Sequence, residues 1–485
     1  DGRYLHKGEK SPIINAETLP CVVADGAGKA VTMELKRDIY KELLKWKERD
    51  SGKVLELEGA RQVGKTYILR KFAKEYEHSI YINMLSLSGQ EFLKCLSEVS
   101  EWNPGEPRIE RPVHKALLMF DPEFQDTKDT LVVIDEIQES AQVYSMIRQF
   151  AREFRAHFVV TGSYLGKTRE KEFFLSAGDT DGMKMETLTF PEFLDVFGKR
   201  SLYETIDLYG GSQHEEYDEL KDYFDRYLQI GGYPEAVVTY AETGELSEAM
   251  KVVRKLVEVF SKESQRYFSS ELDRNVFDRI FHAISIQMLK EKKGTKDLTD
   301  EMSRIVFKEE SGRITKRMVN SAVSWLYLSH QIGYAGKSVD CNYLDIVQDC
   351  RYYFCDCGVA NCFLKETGAP RETVEGCLCE NFAYLELVRR IRNGEIAGRT
   401  PWFGTDEESS GELDFFVRSL VDYKNYGLEI KRGNEVARTA NRLLEKGRLD
   451  YVYSLKNTYG GIEGSKRAVP LYLAGRIPFS LGTKK

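Results

Sequence analysis

Residues 59–66 read Gly-Ala-Arg-Gln-Val-Gly-Lys-Thr. The stretch before them, KVLELEG at 53–59, alternates like a strand, and KTYILRKFAKEY at 65–76 has the spacing of a helix. Gly-x-x-x-x-Gly-Lys-[Ser/Thr] between a strand and a helix leaves few folds open. Its backbone must close into a tight ring of N–H donors, which glycine permits, and the following helix adds the positive end of its dipole. Such a ring suits a polyphosphate. Gly59, Gln62, Val63, Gly64, Lys65 and Thr66 are therefore the candidate nucleotide-binding residues. Lys65 would reach the β- and γ-oxygens, and the Thr66 hydroxyl would ligate Mg²⁺.

A second signal follows at 130–137, TLVVIDEI, a continuous apolar strand ending in two carboxylates. Buried parallel strands read this way. Two carboxylates at the end of one are costly unless a cation or water network receives them. Asp135 would hold Mg²⁺ through its water shell, and Glu136 would act as general base on the attacking water. HFVVTGS at 157–163 is a further strand, whose polar end offers Ser163 or Thr161 to a γ-phosphate or lytic water, or simply caps the strand. SIYINM at 79–84 and MKMETLTF at 183–190 complete an alternation that predicts a parallel sheet covered by helices on both faces.

At 485 residues the chain is too long for one core. No apolar run approaches the roughly 20 residues that span a membrane, and no signal peptide opens the chain. A cytoplasmic location with reduced thiols is expected. The net charge of −7 excludes a uniformly basic nucleic-acid coat, although residues 376–485 carry an excess of Lys and Arg. Seven of the nine cysteines crowd between Cys341 and Cys379. Their C-x-C spacing, with no histidine among them, departs from structural zinc sites, which leaves buried thiols beside zinc as the readings.

In SSGELDFFVRS (409–419) Glu412 and Asp414 share one face of a strand, and in YGLEIKRG (426–433) so do Glu429 and Lys431. Glu380 lies on an upstream helix, 372–391. Adjacent strands could present Asp414, Glu429 and Lys431 together. The order Glu … Asp … Glu-x-Lys resembles the constellation of the PD-(D/E)xK nucleases, which implies that Asp414 and Glu429, with Glu380 and the Ile430 carbonyl, would bind one or two Mg²⁺, and that Lys431 would stabilise the transition state at a phosphodiester or help deprotonate the water. The alternative is a fold that grips without cutting, its carboxylates paired with Lys431 or Arg432.

The segments EGARQVGKT, IDEIQ, VVTGSYLG and QIGGYPEAV resemble a bacterial and archaeal branch of the AAA+ P-loop ATPases. That branch joins the ATPase to a C-terminal domain of unknown function similar to PD-(D/E)xK nucleases. Leu413 stands where that nuclease pattern has proline. The resemblance implies an α/β fold with a P-loop AAA+ parallel-sheet domain, a helical lid and a C-terminal α/β restriction-endonuclease-like domain, and the pattern of residues 273–345 adds a winged-helix-like unit between them. The expected divisions are an N-terminal arm at 1–32, the ATPase domain at 33–190, the lid at 191–262, the winged-helix-like unit at 263–345 and the nuclease-like domain at 346–485. In that scheme Lys316 and Arg317 would open a recognition helix, and IGYAGK would be its wing hairpin. Arg169, Arg266 and Arg274 are candidates for an arginine finger. The catalytic candidates are Lys65, Glu136, Glu380, Asp414, Glu429 and Lys431, and the metal candidates are Thr66, Asp135, Asp414 and Glu429. ATP and Mg²⁺ are the expected cofactors. DNA or RNA and a protein partner are the candidate partners, with no membrane and no oligomer assigned. Two functions fit: an ATPase positioning a metal-dependent nuclease, or a nucleotide-operated switch with an inert nuclease fold. A protein-remodelling machine is a third, for which no pore motif stands out.

Overall fold

The computed structural model describes residues 21–24, 30–100, 110–163, 178–268, 275–289, 316–406, 408, 411–431, 438–457 and 459–483, without side chains at 21–33, 263–268, 275–277, 316–318 and 343–349. The chain divides into residues 1–34 and residues 35–485. In the first unit β1 (Cys21–Ala24) pairs antiparallel with β2 (Ala30–Met33). The loose arm expected at 1–32 thus contains a hairpin. Its β-branched residues come only in pairs, Val22-Val23 and Val31-Thr32, within strands of four, too short to stand out against the nearby glycines.

In the second unit, β3 (Val54–Glu58), β4 (His78–Asn83), β5 (Thr130–Asp135), β6 (His157–Thr161) and β7 (Thr180–Lys184) form a parallel sheet in the order β4-β5-β6-β3-β7. Both faces are covered, which is why β5 and β6 are buried throughout and apolar at their centres. Val132, Ile134 and Val160 pack on one side with the helices Leu87–Ser100 and Pro112–Phe120. Leu131, Val133 and Val159 face the helices Ile39–Arg49 and Lys65–Ala73 on the other. The side-chain period of two sorts neighbouring residues of one strand into two different cores.

Five helices follow: Phe190–Val196, Arg200–Thr205, His214–Ile230, Pro234–Thr243 and Leu246–Phe268. Thr189 and Glu192 start the first with a reciprocal capping box. The pair Gly231-Gly232 then makes two close backbone approaches. The Gly232 amide donates to Asp356 Oδ2 at 2.8 Å, and a Cβ there would lie 2.1 Å from the Leu188 carbonyl oxygen. Gly231 has φ +71° and would put a Cβ 2.1 Å from Asp356 Oδ1. Asp356 also caps the helix Cys357–Glu366 through the amides of Gly358 and Val359. The glycine pair is thus the seat of one buried carboxylate. Gly232→Ala should lower stability by roughly 2 kcal/mol or more, since the clash is with backbone. An unchanged chemical-denaturation midpoint would contradict this seating.

The remaining strands are β8 (Ile332–Val339), β9 (Asn342–Phe354), β10 (Trp402–Thr405), β11 (Glu412–Arg418), β12 (Asn425–Lys431), β13 (Tyr451–Lys456), β14 (Gly461–Glu463) and β15 (Lys466–Pro470). They form one eight-stranded sheet in the order β14-β15-β13-β12-β11-β10-β8-β9. Here the sequence expectation needs correcting. IGYAGK, expected as a wing hairpin, lies within a single strand, β8, which pairs antiparallel with β9 and joins this sheet by parallel pairing with β10, and the boundary expected at 346 falls inside β9. Gly336 makes that join: it pairs with Trp402, whose ring lies 3.1 Å from where a Cβ would stand. No local pattern encodes a pairing across so many residues. Much of the region expected to precede the wing, 290–315, lies outside the described residues.

Phe415, Val417, Tyr426 and Leu428 of the second sheet belong to the same apolar cluster as Leu55 and Leu57 of the first. The helix Arg371–Arg392 packs within this cluster through Phe382, Leu385 and Leu387. Five of the crowded cysteines, Cys341, Cys357, Cys362, Cys377 and Cys379, are buried. Burial pushes the Cys341 and Cys355 thiols up to about 12, so they stay protonated and unreactive. Among the described residues no metal-holding group of His, Cys, Asp or Glu is found.

Candidate functional site

The phosphate-loop residues lie where β3 runs into the helix Lys65–Ala73. Gln62 (φ +62°) and Gly64 (φ +97°) both adopt left-handed backbone, which turns successive amides inward. Gly59 is required by contact: a Cβ would sit 2.2 Å from the Met185 carbonyl oxygen. Lys65 is buried and donates to the carbonyl oxygens of Gly59 and Ala60, each at 2.8 Å, which keeps its ammonium inside the turn. Arg37 braces the turn from outside. Its guanidinium donates to Val63 O at 2.8 Å, to Glu186 O at 2.6 Å and to Glu192 Oε1 at 3.2 Å.

Because all five strands are parallel, their carboxyl ends share one edge. This brings together residues far apart in sequence. Thr66 Oγ1 donates to Asp135 Oδ2 at 3.2 Å, and the Tyr81 hydroxyl donates to the same oxygen. Burial, and next the Glu136 carboxylate, raise the Asp135 pKa, while the Tyr81 hydroxyl opposes them. Glu136 has φ +53° and ψ +41°, left-handed values that cost a non-glycine residue about 1–2 kcal/mol. That turn aims its carboxylate at Ser163, whose hydroxyl donates at 3.2 Å, and at the Gln138 amide. The residues predicted as Mg²⁺ ligands, Thr66 and Asp135, are thus in direct contact and suit a hydrated Mg²⁺ held beside a triphosphate. Ser163 meets the candidate base rather than standing alone at a strand end. Thr161 donates to Leu57 O at 2.7 Å and serves the sheet.

The C-terminal candidates also assemble on neighbouring elements. Asp414 on β11 and Glu429 on β12 are both buried. Asp414 Oδ2 accepts from the Ile430 amide at 2.7 Å, and Glu429 Oε2 lies 3.2 Å from Lys431 Nζ. Glu380, on the helix Arg371–Arg392, accepts from the Tyr353 hydroxyl at 2.7 Å. A residue absent from the sequence reading joins them: Arg351 on β9, with Nη2 2.6 Å from Glu412 Oε2 and Nη1 3.6 Å from Glu380 Oε1. Arg432 and the finger candidates Arg169 and Arg274 lie outside the described residues, as do the side chains of Arg266, Lys316 and Arg317.

A line of charged groups runs from the first cluster toward the second. Glu186, whose carbonyl holds Arg37, places its carboxylate 2.8 Å from Arg389 Nε and 2.7 Å from Arg392 Nη1. Arg389 also donates to Glu386. Burial alone would raise the Glu186 pKa, but Arg389 and Arg392 hold it well below the usual carboxylate range. Arg389 shares its helix with Glu380, nine positions and about 13 Å away along the axis. Sequence reading missed Arg37, Tyr81, Gln138, Glu186, Arg351 and Arg389. All but Gln138 act through contacts between distant segments. Gln138, two residues after Glu136, was within reach of the motif itself.

Comparison with known proteins bears on the first cluster. Residues 51–194 match the model of an AAA domain family, AAA_14. Among solved structures the chain is similar to a Walker-type ATPase of Pyrococcus abyssi, at 16% identity and TM-score 0.44, over 68% of this chain and 96% of that one. It is also similar to the ORC1 protein of Aeropyrum pernix, solved in complex with DNA, at 14% identity and TM-score 0.26, over 72% and 94%. No curated protein matches. The first cluster thus lies within the segment, 51–194, that matches the AAA domain model, and no helix among the described residues is long and apolar enough to cross a membrane.

Proposed function

We propose that this chain is an ATP-binding and ATP-hydrolysing switch that passes its nucleotide state to a C-terminal domain of PD-(D/E)xK nuclease type. The observation that carries the first half is the convergence of Lys65, Thr66, Asp135, Glu136 and Ser163 on one sheet edge. Lys65 and the loop amides take the phosphates, Thr66 and Asp135 take Mg²⁺, Glu136 orients and deprotonates the water, and Ser163 holds Glu136 until it is needed. The order helix, β10, β11, β12, helix, β13 supports the second half, with β10–β11 and β11–β12 antiparallel and β12–β13 parallel. The contacts Arg37–Glu186–Arg389 are the proposed link. DNA or RNA is the proposed partner of the C-terminal domain, with a protein as the alternative.

Isothermal titration with ATP and Mg²⁺ tests the reading. The wild type should saturate, and Lys65→Ala should bind at least about tenfold more weakly, as loss of a charge-assisted contact implies. Folded wild type that gives no saturable heat overturns the proposal.

Metal-dependent cleavage of nucleic acid is the second reading. It is favoured by Asp414 and Glu429 standing buried on adjacent strands with Lys431 beside them. Plasmid incubated with the protein and Mg²⁺ or Mn²⁺ should then be nicked by wild type and spared by Lys431→Ala.

A further inference from the structure

We infer that the C-terminal carboxylate cluster carries a fixed protein cation, Arg351, in place of a divalent metal ion. This rests on the PD-(D/E)xK reading of the domain and decides between its cutting and non-cutting forms. The residues expected to ligate metal spend their described contacts on protein donors. Asp414 Oδ2 accepts the Ile430 amide, Glu429 Oε2 faces Lys431, and Glu380 Oε1 accepts the Tyr353 hydroxyl. Among the described residues no three His, Cys, Asp or Glu side chains converge as a metal group. These residues therefore do not fit the Mg²⁺ that the nuclease pattern implies.

Arg351 supplies the missing positive charge. It pairs with Ala335 in the β8–β9 ladder, which fixes its height in the sheet, and Tyr353 two residues on shares its face. Its guanidinium is 2.6 Å from Glu412 and 3.6 Å from Glu380, and lies 4.0 Å from the centroid of the Phe403 ring. Carboxylates on one side and an aromatic face on the other hold a planar cation well. Guanidinium does not lose its proton in proteins, so this charge is permanent. Mg²⁺ needs oxygen ligands at about 2.0–2.1 Å in near-octahedral geometry. Bringing a double charge against a guanidinium that already pairs with Glu380 and Glu412 is electrostatically unfavourable.

The test is Mn²⁺ titration of the nucleotide-free full chain, followed by electron paramagnetic resonance and by melting temperature. Wild type should show no saturable Mn²⁺ site that Asp414→Asn removes. Arg351→Gln leaves the carboxylates facing one another; it should melt below wild type and be restored by Mn²⁺ but not by equal ionic strength of Na⁺. Stoichiometric Mn²⁺ on wild type, lost in Asp414→Asn, overturns the inference. So does an Arg351→Gln protein that melts like wild type and ignores Mn²⁺. If Arg351→Gln does not fold, the comparison of wild type with Asp414→Asn still decides. A Mn²⁺ signal lost in Asp135→Asn alone belongs to the phosphate-loop edge and leaves the C-terminal cluster metal-free, as expected. ATP titration on the same preparations keeps the two readings apart: loss of ATP binding in wild type would sink the switch and leave the Mn²⁺ result standing.

Discussion

Glu136→Gln should retain nucleotide affinity while hydrolysis falls by about 10²–10⁴-fold, the span that a positioned base contributes. Glutamine has the same shape and still accepts from Ser163 and Gln138, so the left-handed turn at 136 and its neighbours are kept. What goes is the ability to take a proton from water. On the proposed reading the two readouts separate, because affinity is assigned to the turn at 59–66 and rate to the end of β5. Phosphate release and equilibrium titration on one preparation check both. Unchanged turnover would remove Glu136 from the chemistry, and a parallel loss of affinity would show that it shapes the site instead. Ser163→Ala is a milder companion. It removes one holder at 3.2 Å and leaves Gln138, so a smaller change in rate is expected.

The phosphate-loop edge was legible because its chemistry is local. A ring of amides must be contiguous in sequence, and the strand that leads into Asp135 and Glu136 announces itself by its unbroken apolar run at 131–134. Even there, the partners that complete the edge were hidden. Tyr81 reaches Asp135 only because β4 lies beside β5 in the sheet order, with Ile82 opposite Ile134 and Asn83 opposite Asp135. The C-terminal candidates were legible by alternation, which correctly placed Asp414 and Glu429 on strands that pair. Arg351 was not, because its meeting with Glu380 and Glu412 joins segments far apart in sequence and no local pattern marks it. The hairpin at 332–354 has the same period whether it is a free wing or part of a sheet, and only the parallel pairing with β10 decides. Locally the double glycine at 231–232 is a break between two helices. Its reason is the Asp356 carboxylate, which is supplied from more than a hundred residues away.

Arg389→Ala should destabilise the chain by about 3–5 kcal/mol, since it strands the carboxylates of Glu186 and Glu386 without their shared guanidinium. Arg392→Ala is the internal comparison. Arg392 meets the same Glu186, but its side chain is 37% exposed, so its loss should cost at most about 1 kcal/mol. The pH dependence carries a sign of its own. The Glu186 pKa is depressed in the folded chain, so its contribution is complete above its unfolded value, about 4.3, and drains away as pH falls below that. Without Arg389 this acid limb should flatten. Stability alone would make Arg389 a staple. The switch requires more: ATP should slow backbone hydrogen exchange across 371–392 in wild type, and Arg389→Ala should lose that effect while still binding ATP. The Arg37 contacts make this expectation specific, because one side chain grips both the phosphate loop at Val63 and the carbonyl of Glu186. A nucleotide that tightens the loop pulls on the residue that Arg389 holds. If ATP protects the helix equally in both proteins, the nucleotide state travels by another route, and the ion-paired line only fastens the two sheets together.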